Sequence, residues 1–217
     1  MSRVRTYTKQ EEQANALSHG LGILLGLIGG WYLLTAAHAS TDVWAVPSVF
    51  VYLVGMLSSY VSSTCYHALP TGKRKRVFQK IDHAAIYWHI AGTYTPLTML
   101  ILREEGLWGW MLLIFVWSVA IVGTVVSFRT SGKHSYIETI CYVLMGCVVF
   151  VAFKPLIDVL RETDRMEVLF WIIAGGISYI VGALFYSLPK VRYMHTVFHL
   201  FVLGGTICHI LAIYYAI

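Results

Sequence analysis

Uncharged apolar stretches of about 20 residues, each closed by a short polar segment, recur along this chain almost from its start to its last residue. They occupy residues 17–37, 44–69, 81–102, 108–128, 136–157, 166–188 and 193–217. A run of about 20 apolar residues is enough for a helix to cross roughly 30 Å of hydrocarbon. Strict polar–apolar alternation is absent from all seven, which disfavours a membrane β-barrel. A bilayer core offers no water to satisfy backbone N–H and C=O groups, so the expected fold is all-α: a bundle of seven transmembrane helices. No linker or low-complexity tract interrupts the pattern, and residues 1–217 are expected to form a single domain with a short polar segment, 1–16, before the first helix.

Composition agrees with this class: the chain is 58% hydrophobic and only 12% charged. The placement of charge adds a direction. Arg3, Arg5, Lys9, Lys73, Arg74, Lys75, Arg76, Lys80, Arg129, Lys133, Lys190 and Arg192 fall on the side shared with the N-terminus. Only Arg103, Lys154, Arg161 and Arg165 fall on the other. Lys and Arg are retained on the cytoplasmic side, so the N-terminus is expected in the cytoplasm and the C-terminus outside. The net charge of +5 is thereby explained by topology, and no nucleic-acid partner is expected. The basic turn 71–76 reads as an anchor that attracts anionic headgroups. Cys65, Cys141, Cys147 and Cys208 lie inside apolar stretches and read as small packing residues. Gly22 and Gly26, Gly175 and Gly176, and Gly204 and Gly205 read as points of close helix approach.

The informative positions are polar groups where a bilayer should exclude them. His195 and His199, at i and i+4 in the last stretch, lie about 40° apart on one helical face and roughly 6 Å apart in rise. His67 ends the second stretch and Asp82 opens the third, all at the same cytoplasmic depth. Ser59, Ser63 and His67 form one stripe, and Glu12, Asn15 and His19 form another that leads into the first helix. Three neutral imidazoles suit zinc, and three protein ligands leaving one open position is the usual arrangement for a metal that does chemistry. Asp82 is placed to orient a bound water, accept its proton or fill the fourth position, and Ser63 to donate to the water or to a polarised carbonyl. His209 lies about 15 Å further across the membrane by helix rise and cannot share that metal. His38, His89 and His209 read instead as residues hydrogen-bonded to neighbouring helices. His83 projects about 100° from Asp82 and reads as a helix-end residue or as one that supports the site from behind, and His134 as a solvated loop residue.

At these positions the chain resembles the hemolysin III family of bacterial membrane proteins, within the wider group of progestin and adipoQ receptors. The resemblance is carried by Glu12-x-x-Asn15-x-x-x-His19-Gly20, by Ser62-Ser63-Thr64-Cys65-Tyr66-His67 and by Ile81-Asp82-His83-Ala84-Ala85-Ile86-Tyr87. It continues through Ile90-Ala91-Gly92-Thr93-Tyr94-Thr95-Pro96 and His195-x-x-x-His199, followed by Cys208-His209. It implies seven transmembrane helices with a cytoplasmic N-terminus, residence in the bacterial cytoplasmic (inner) membrane, and Zn2+ held by His67, His195 and His199. Asp82 and Ser63 are then expected beside the metal-bound water as the catalytic pair. Receptor members carry long N-terminal cytoplasmic regions, whereas about 15 residues precede the first stretch here, so no soluble hormone partner is expected.

Three functions follow as expectations. The first is a zinc-dependent hydrolase acting on amides or esters of membrane lipids and maintaining membrane composition. The second is a pore-forming cytolysin, for which no cationic amphipathic helix or barrel-type hairpin speaks. The third is a sensor of membrane state whose zinc is structural, with Asp82 as fourth ligand.

Overall fold

The computed structural model describes residues 6–129 and 136–217; Arg3, Arg5 and Lys133 of the charge pattern, and His134, read as a solvated loop residue, lie outside the described residues. Every regular element among them is helical. The helices are α1 (Lys9–Ala39), α2 (Ala45–Ala68), α3 (Lys73–Leu97), α4 (Trp108–Arg129), α5 (Tyr136–Cys147), α6 (Phe153–Glu162), α7 (Met166–Tyr186) and α8 (Met194–Ala216). Five of the seven apolar stretches correspond to one helix each, nearly residue for residue at the ends of α2, α4 and α7. α1 and α3 each begin eight residues before their apolar stretch, because polar helix formers such as Gln10, Glu11 and Lys75 extend a helix beyond the bilayer as readily as leucine does. Among the described residues, six helical segments are long and apolar enough to cross a membrane: α1, α2, α4, the stretch Ile137–Glu162, α7 and α8. The protein is therefore a multi-pass membrane protein. α3 is as long as these, but its first turns carry Lys73, Arg74, Lys75, Arg76, Lys80 and Asp82 and lower its hydropathy.

Two helices depart from regularity, each for a local reason. Pro96 lies inside α3, where it has no N–H to give, and a five-residue π-helical turn, Thr98–Leu102, follows it. In the fifth stretch a 3-10 turn, Val148–Ala152, separates α5 from α6. The Tyr94 hydroxyl enters that break, donating to the Gly146 carbonyl at 2.7 Å and accepting from the Val149 N–H at 2.9 Å. A side chain from α3 thus satisfies backbone groups that the interrupted ladder releases inside the membrane.

The most extensive contacts join α2 to α3 and α7 to α8, with α1 packed on α2 and bridging to α8. Close approach of α2 and α3 depends on Gly55, where a Cβ would overlap the Trp88 carbonyl. Leu17, Leu24, Ile28 and Trp31 on α1, and Ile114 and Val122 on α4, are exposed on the outer surface. That is the lipid-facing pattern of a bundle, not a soluble surface. At the end remote from the basic turn, Arg103 donates to both carboxylate oxygens of Asp42 at 2.9 and 3.1 Å. Burial raises the Asp42 carboxyl, but the Arg103 and Trp44 donors outweigh it and hold the group below its ordinary value.

Candidate metal centre

Two helix ends must be fixed before three imidazoles can meet. Thr8 and Glu11 form a capping box at the start of α1, each side chain bonded to the other residue's backbone. The other oxygen of the buried Glu11 carboxylate accepts from the Tyr193 N–H at 3.1 Å. Tyr193 precedes α8 with a φ of 62°, in the left-handed region. One carboxylate therefore caps its own helix and seats the start of the helix bearing His195 and His199. At the opposite end of the joint, Lys75 donates to the carbonyls of Tyr66 and Leu69 at 2.8 and 3.1 Å, closing the end of α2 that carries His67. Lys75 also pairs with Glu12 at 3.0 Å, so one of the basic residues at the start of α3 is built into the site.

The nearest ring nitrogens of His67, His195 and His199 all lie within 4.8 Å of one another. Nε2 of His67 and Nε2 of His195 are 3.1 Å apart. Two ligands of a tetrahedral zinc with Zn–N bonds of about 2.0–2.1 Å stand roughly 3.3 Å apart, so this spacing fits a shared ion. The outer nitrogens of His67 and His199 are occupied in the way a ligand imidazole requires. Nδ1–H of His67 donates to Glu12 at 2.7 Å. Ser18 spends its hydroxyl proton on the Asn15 carbonyl, so its oxygen accepts from Nδ1–H of His199 at 2.9 Å. Both tautomers then present Nε2 lone pairs inward. The Asn15 side chain is itself held by Thr196, which donates to it at 2.6 Å. The donor set, tautomers and spacing fit a divalent metal of the zinc type.

The stripe Glu12, Asn15 and His19 finds its place here. Glu12 and Asn15 orient ligands, and the His19 ring stacks on His199 with centroids 3.4 Å apart. Ser18, Glu11 and Lys75 were not singled out in the sequence, although the Thr8-x-x-Glu11 capping pattern is readable there.

Beside the three imidazoles opens a cavity of about 370 Å³. Ser63, Asp82, His83, His195 and His199 share its wall. Asp82 interacts with the Ser63 hydroxyl and is not a member of the 4.8 Å cluster. His83 pairs through Nδ1 with the buried carboxylate of Glu138 at 3.0 Å, and Ser127 donates to the other oxygen at 3.1 Å. Glu138, on α5, escapes a reading by depth because the polar segment before it hides which turn of the helix it occupies. The cavity continues between α5 and α7 toward Ile173, Ile177 and Phe150, all exposed on the outer surface.

The profile of the family described as Haemolysin-III related matches residues 7–210. Among similar proteins, Hemolysin-3 of Bacillus cereus is 38% identical over 206 residues, covering 95% of this chain and 91% of the relative. The Hemolysin-3 homolog of Bacillus subtilis (strain 168) is 38% identical over 200 residues, covering 92% and 91%. The human monocyte to macrophage differentiation factor is 28% identical over 218 residues, covering 97% of this chain and 84% of that protein. A profile match that takes in the capping box, the His67 stripe, Asp82 and both histidines of α8 leaves one assignment, and the chain belongs to the haemolysin-III-related family.

Proposed function

We propose that the protein crosses the bacterial cytoplasmic membrane seven times, with α3 as the seventh span and the N-terminus inside, and that it is a zinc-dependent hydrolase of membrane-lipid amides or esters. One observation carries the reading: His195 and His199 of the three-imidazole cluster and the Asp82–Ser63 pair line a single cavity that opens between α5 and α7 toward lipid. The sidedness rests on the twelve-to-four division of Lys and Arg.

When bound, zinc supplies a Lewis acid and lowers the pKa of a coordinated water toward about 7. The remaining work belongs to the chain. Glu12 and Ser18 hold the imidazoles of His67 and His199 in one tautomer. Asp82 takes a proton from the attacking water and returns it to the leaving amine or alcohol as the C–N or C–O bond breaks. Ser63 orients the Asp82 carboxylate. The apolar walls exclude bulk water, which strengthens each of these interactions.

Metal analysis of the purified protein tests the first half: about one zinc per chain, lost in His67→Ala and in His195→Ala/His199→Ala. Screening lipid amides and esters tests the second, with Asp82→Ala keeping its zinc and losing turnover by about two to four orders of magnitude. Full activity in Asp82→Ala would sink the mechanism. A second reading, zinc as a structural element of a membrane sensor, is favoured by one feature, the position of the cluster across the joint between α2 and α8. It requires Asp82 as a fourth ligand, and the exclusion of Asp82 from the 4.8 Å cluster weighs against that.

A further inference from the structure

The cavity does not end at the metal centre. Its deep half, reached by α3 and α8, is lined by His89 and His209, with Tyr179 between them. By helix rise, His89 lies about 10 Å beyond Asp82, and His209 about 15 Å beyond His199. The sequence suggests that both histidines are tied to neighbouring helices, but the structure corrects this. Nε2 of His89 has no hydrogen-bond partner among the described residues, although the residue is only 6% exposed. The His209 ring approaches the Ile172 carbonyl without a hydrogen bond of acceptable geometry at either nitrogen. Behind them the Tyr52 hydroxyl is fully buried and equally unpartnered.

These rings are not loosely placed. His209 packs against Gly175 and Tyr179 against Gly205, at positions where a Cβ would overlap each ring. Tyr179 is also fixed through its hydroxyl, 2.9 Å from Thr206, and Thr206 is 2.6 Å from the Tyr60 hydroxyl. The His89 ring stands edge-on to Tyr60 and Tyr179 with centroids 5.9 and 6.3 Å away. An unsatisfied buried polar group is costly, more so where no bulk water reaches. His89 and His209, both held in place at the cavity, mark a wall shaped for a polar partner. No Asp, Glu, Lys or Arg lines this deep half, so the partner is uncharged.

We propose that the deep half of the cavity is a binding subsite for an uncharged hydrogen-bonding group, a hydroxyl above all, carried partway along the apolar chain of an amphiphile. The polar end of the same amphiphile sits at the three-histidine cluster. A hydroxyl both donates and accepts, as do neutral imidazoles, so it can satisfy His89 and His209 together. The subsite depends on the cavity and not on hydrolysis.

Native mass spectrometry of the full-length protein offered an equimolar mixture of stearate and 12-hydroxystearate reads this directly. Neither probe has an amide or ester, so binding is scored apart from turnover. The bound ratio should favour 12-hydroxystearate about tenfold in the wild type and fall to about one in His89→Leu/His209→Phe. A parallel competition with 2-hydroxystearate, whose hydroxyl sits beside the carboxylate, should show no such preference. Melting curves report whether the double variant folds, and His89→Gln, which keeps a polar side chain, should retain part of the selectivity. An equal ratio in the wild type overturns the proposal, since a cavity holding only water would give that result. So does selectivity that survives in the folded double variant, an equal preference for the 2-hydroxy isomer, or binding of neither acid.

Discussion

At the scale of single residues, the candidate metal centre is built as much by the groups behind the imidazoles as by the imidazoles. Glu12 accepts from His67 and is held in turn by Lys75, while Ser18 and the Asn15 carbonyl share Nδ1 of His199. Removing such an outer partner typically lowers metal affinity by about 10–100-fold. Glu12→Ala should therefore weaken zinc binding within that range while leaving all three ligands in place. Ser18→Ala should fall at or below its lower end, because the Asn15 carbonyl remains 3.2 Å from Nδ1. Chelator competition measures both, and an affinity unchanged in Glu12→Ala would remove the ligand-orienting role. The clustering of the three histidines is legible in the sequence, since imidazoles at one depth in lipid have few explanations. Their supports were only half legible. Glu12 and Asn15 stand on a stripe pointing into the bundle, but Glu11 caps α8 from 182 positions away, and no periodicity encodes that contact.

At the scale of helices, hydropathy located the elements well and their interruptions poorly. The break between α5 and α6 falls in a continuous apolar run, because its cause is the Tyr94 hydroxyl of another helix. The glycine pairs, read as general packing points, divide once neighbours are known. A Cβ at Gly175 would overlap the His209 ring and come within 3.2 Å of the Gly205 carbonyl, whereas one at Gly176 meets nothing within 4 Å. Gly175→Ala should destabilise the protein by about 1–3 kcal/mol through overpacking, and Gly176→Ala should be neutral or slightly stabilising. Thermal unfolding in detergent separates them, and equal melting temperatures would contradict the seating of His209. A further link joins the turn before α2 to the end of the π-helical turn, through Asp42 and Arg103. Since the folded-state carboxyl of Asp42 lies below its ordinary value, this pair contributes fully above the unfolded value of about 3.9 and is lost as pH falls through the folded value. Asp42→Asn should cost under about 1 kcal/mol at pH 7, and the gap between variant and wild type should close on acidification. A gap that widens toward pH 3 would reverse the assignment.

At the scale of the whole molecule, the contacts describe two packed groups, α1 to α4 and α7 with α8, joined mainly through α1 and, at the end that carries the basic residues of α3, through the histidine cluster. His67 belongs to one group, and His195 and His199 to the other. A shared ion would bind the joined form and not the separated one, so its binding energy adds to the stability of the joint. At a thousandfold excess over its dissociation constant that contribution is about 4 kcal/mol. Chelation should therefore lower the melting temperature and raise amide exchange at the start of α8, around the Tyr193–Glu11 contact, ahead of the α2–α3 interface. The same measurement on Asp82→Ala separates the two functional readings. A carboxylate outside the coordination sphere leaves the chelation-induced drop as large as in the wild type, which fits an open, reactive centre. A fourth ligand makes the drop markedly smaller, and hydrolysis then gives way to a closed structural site that senses the state of the membrane.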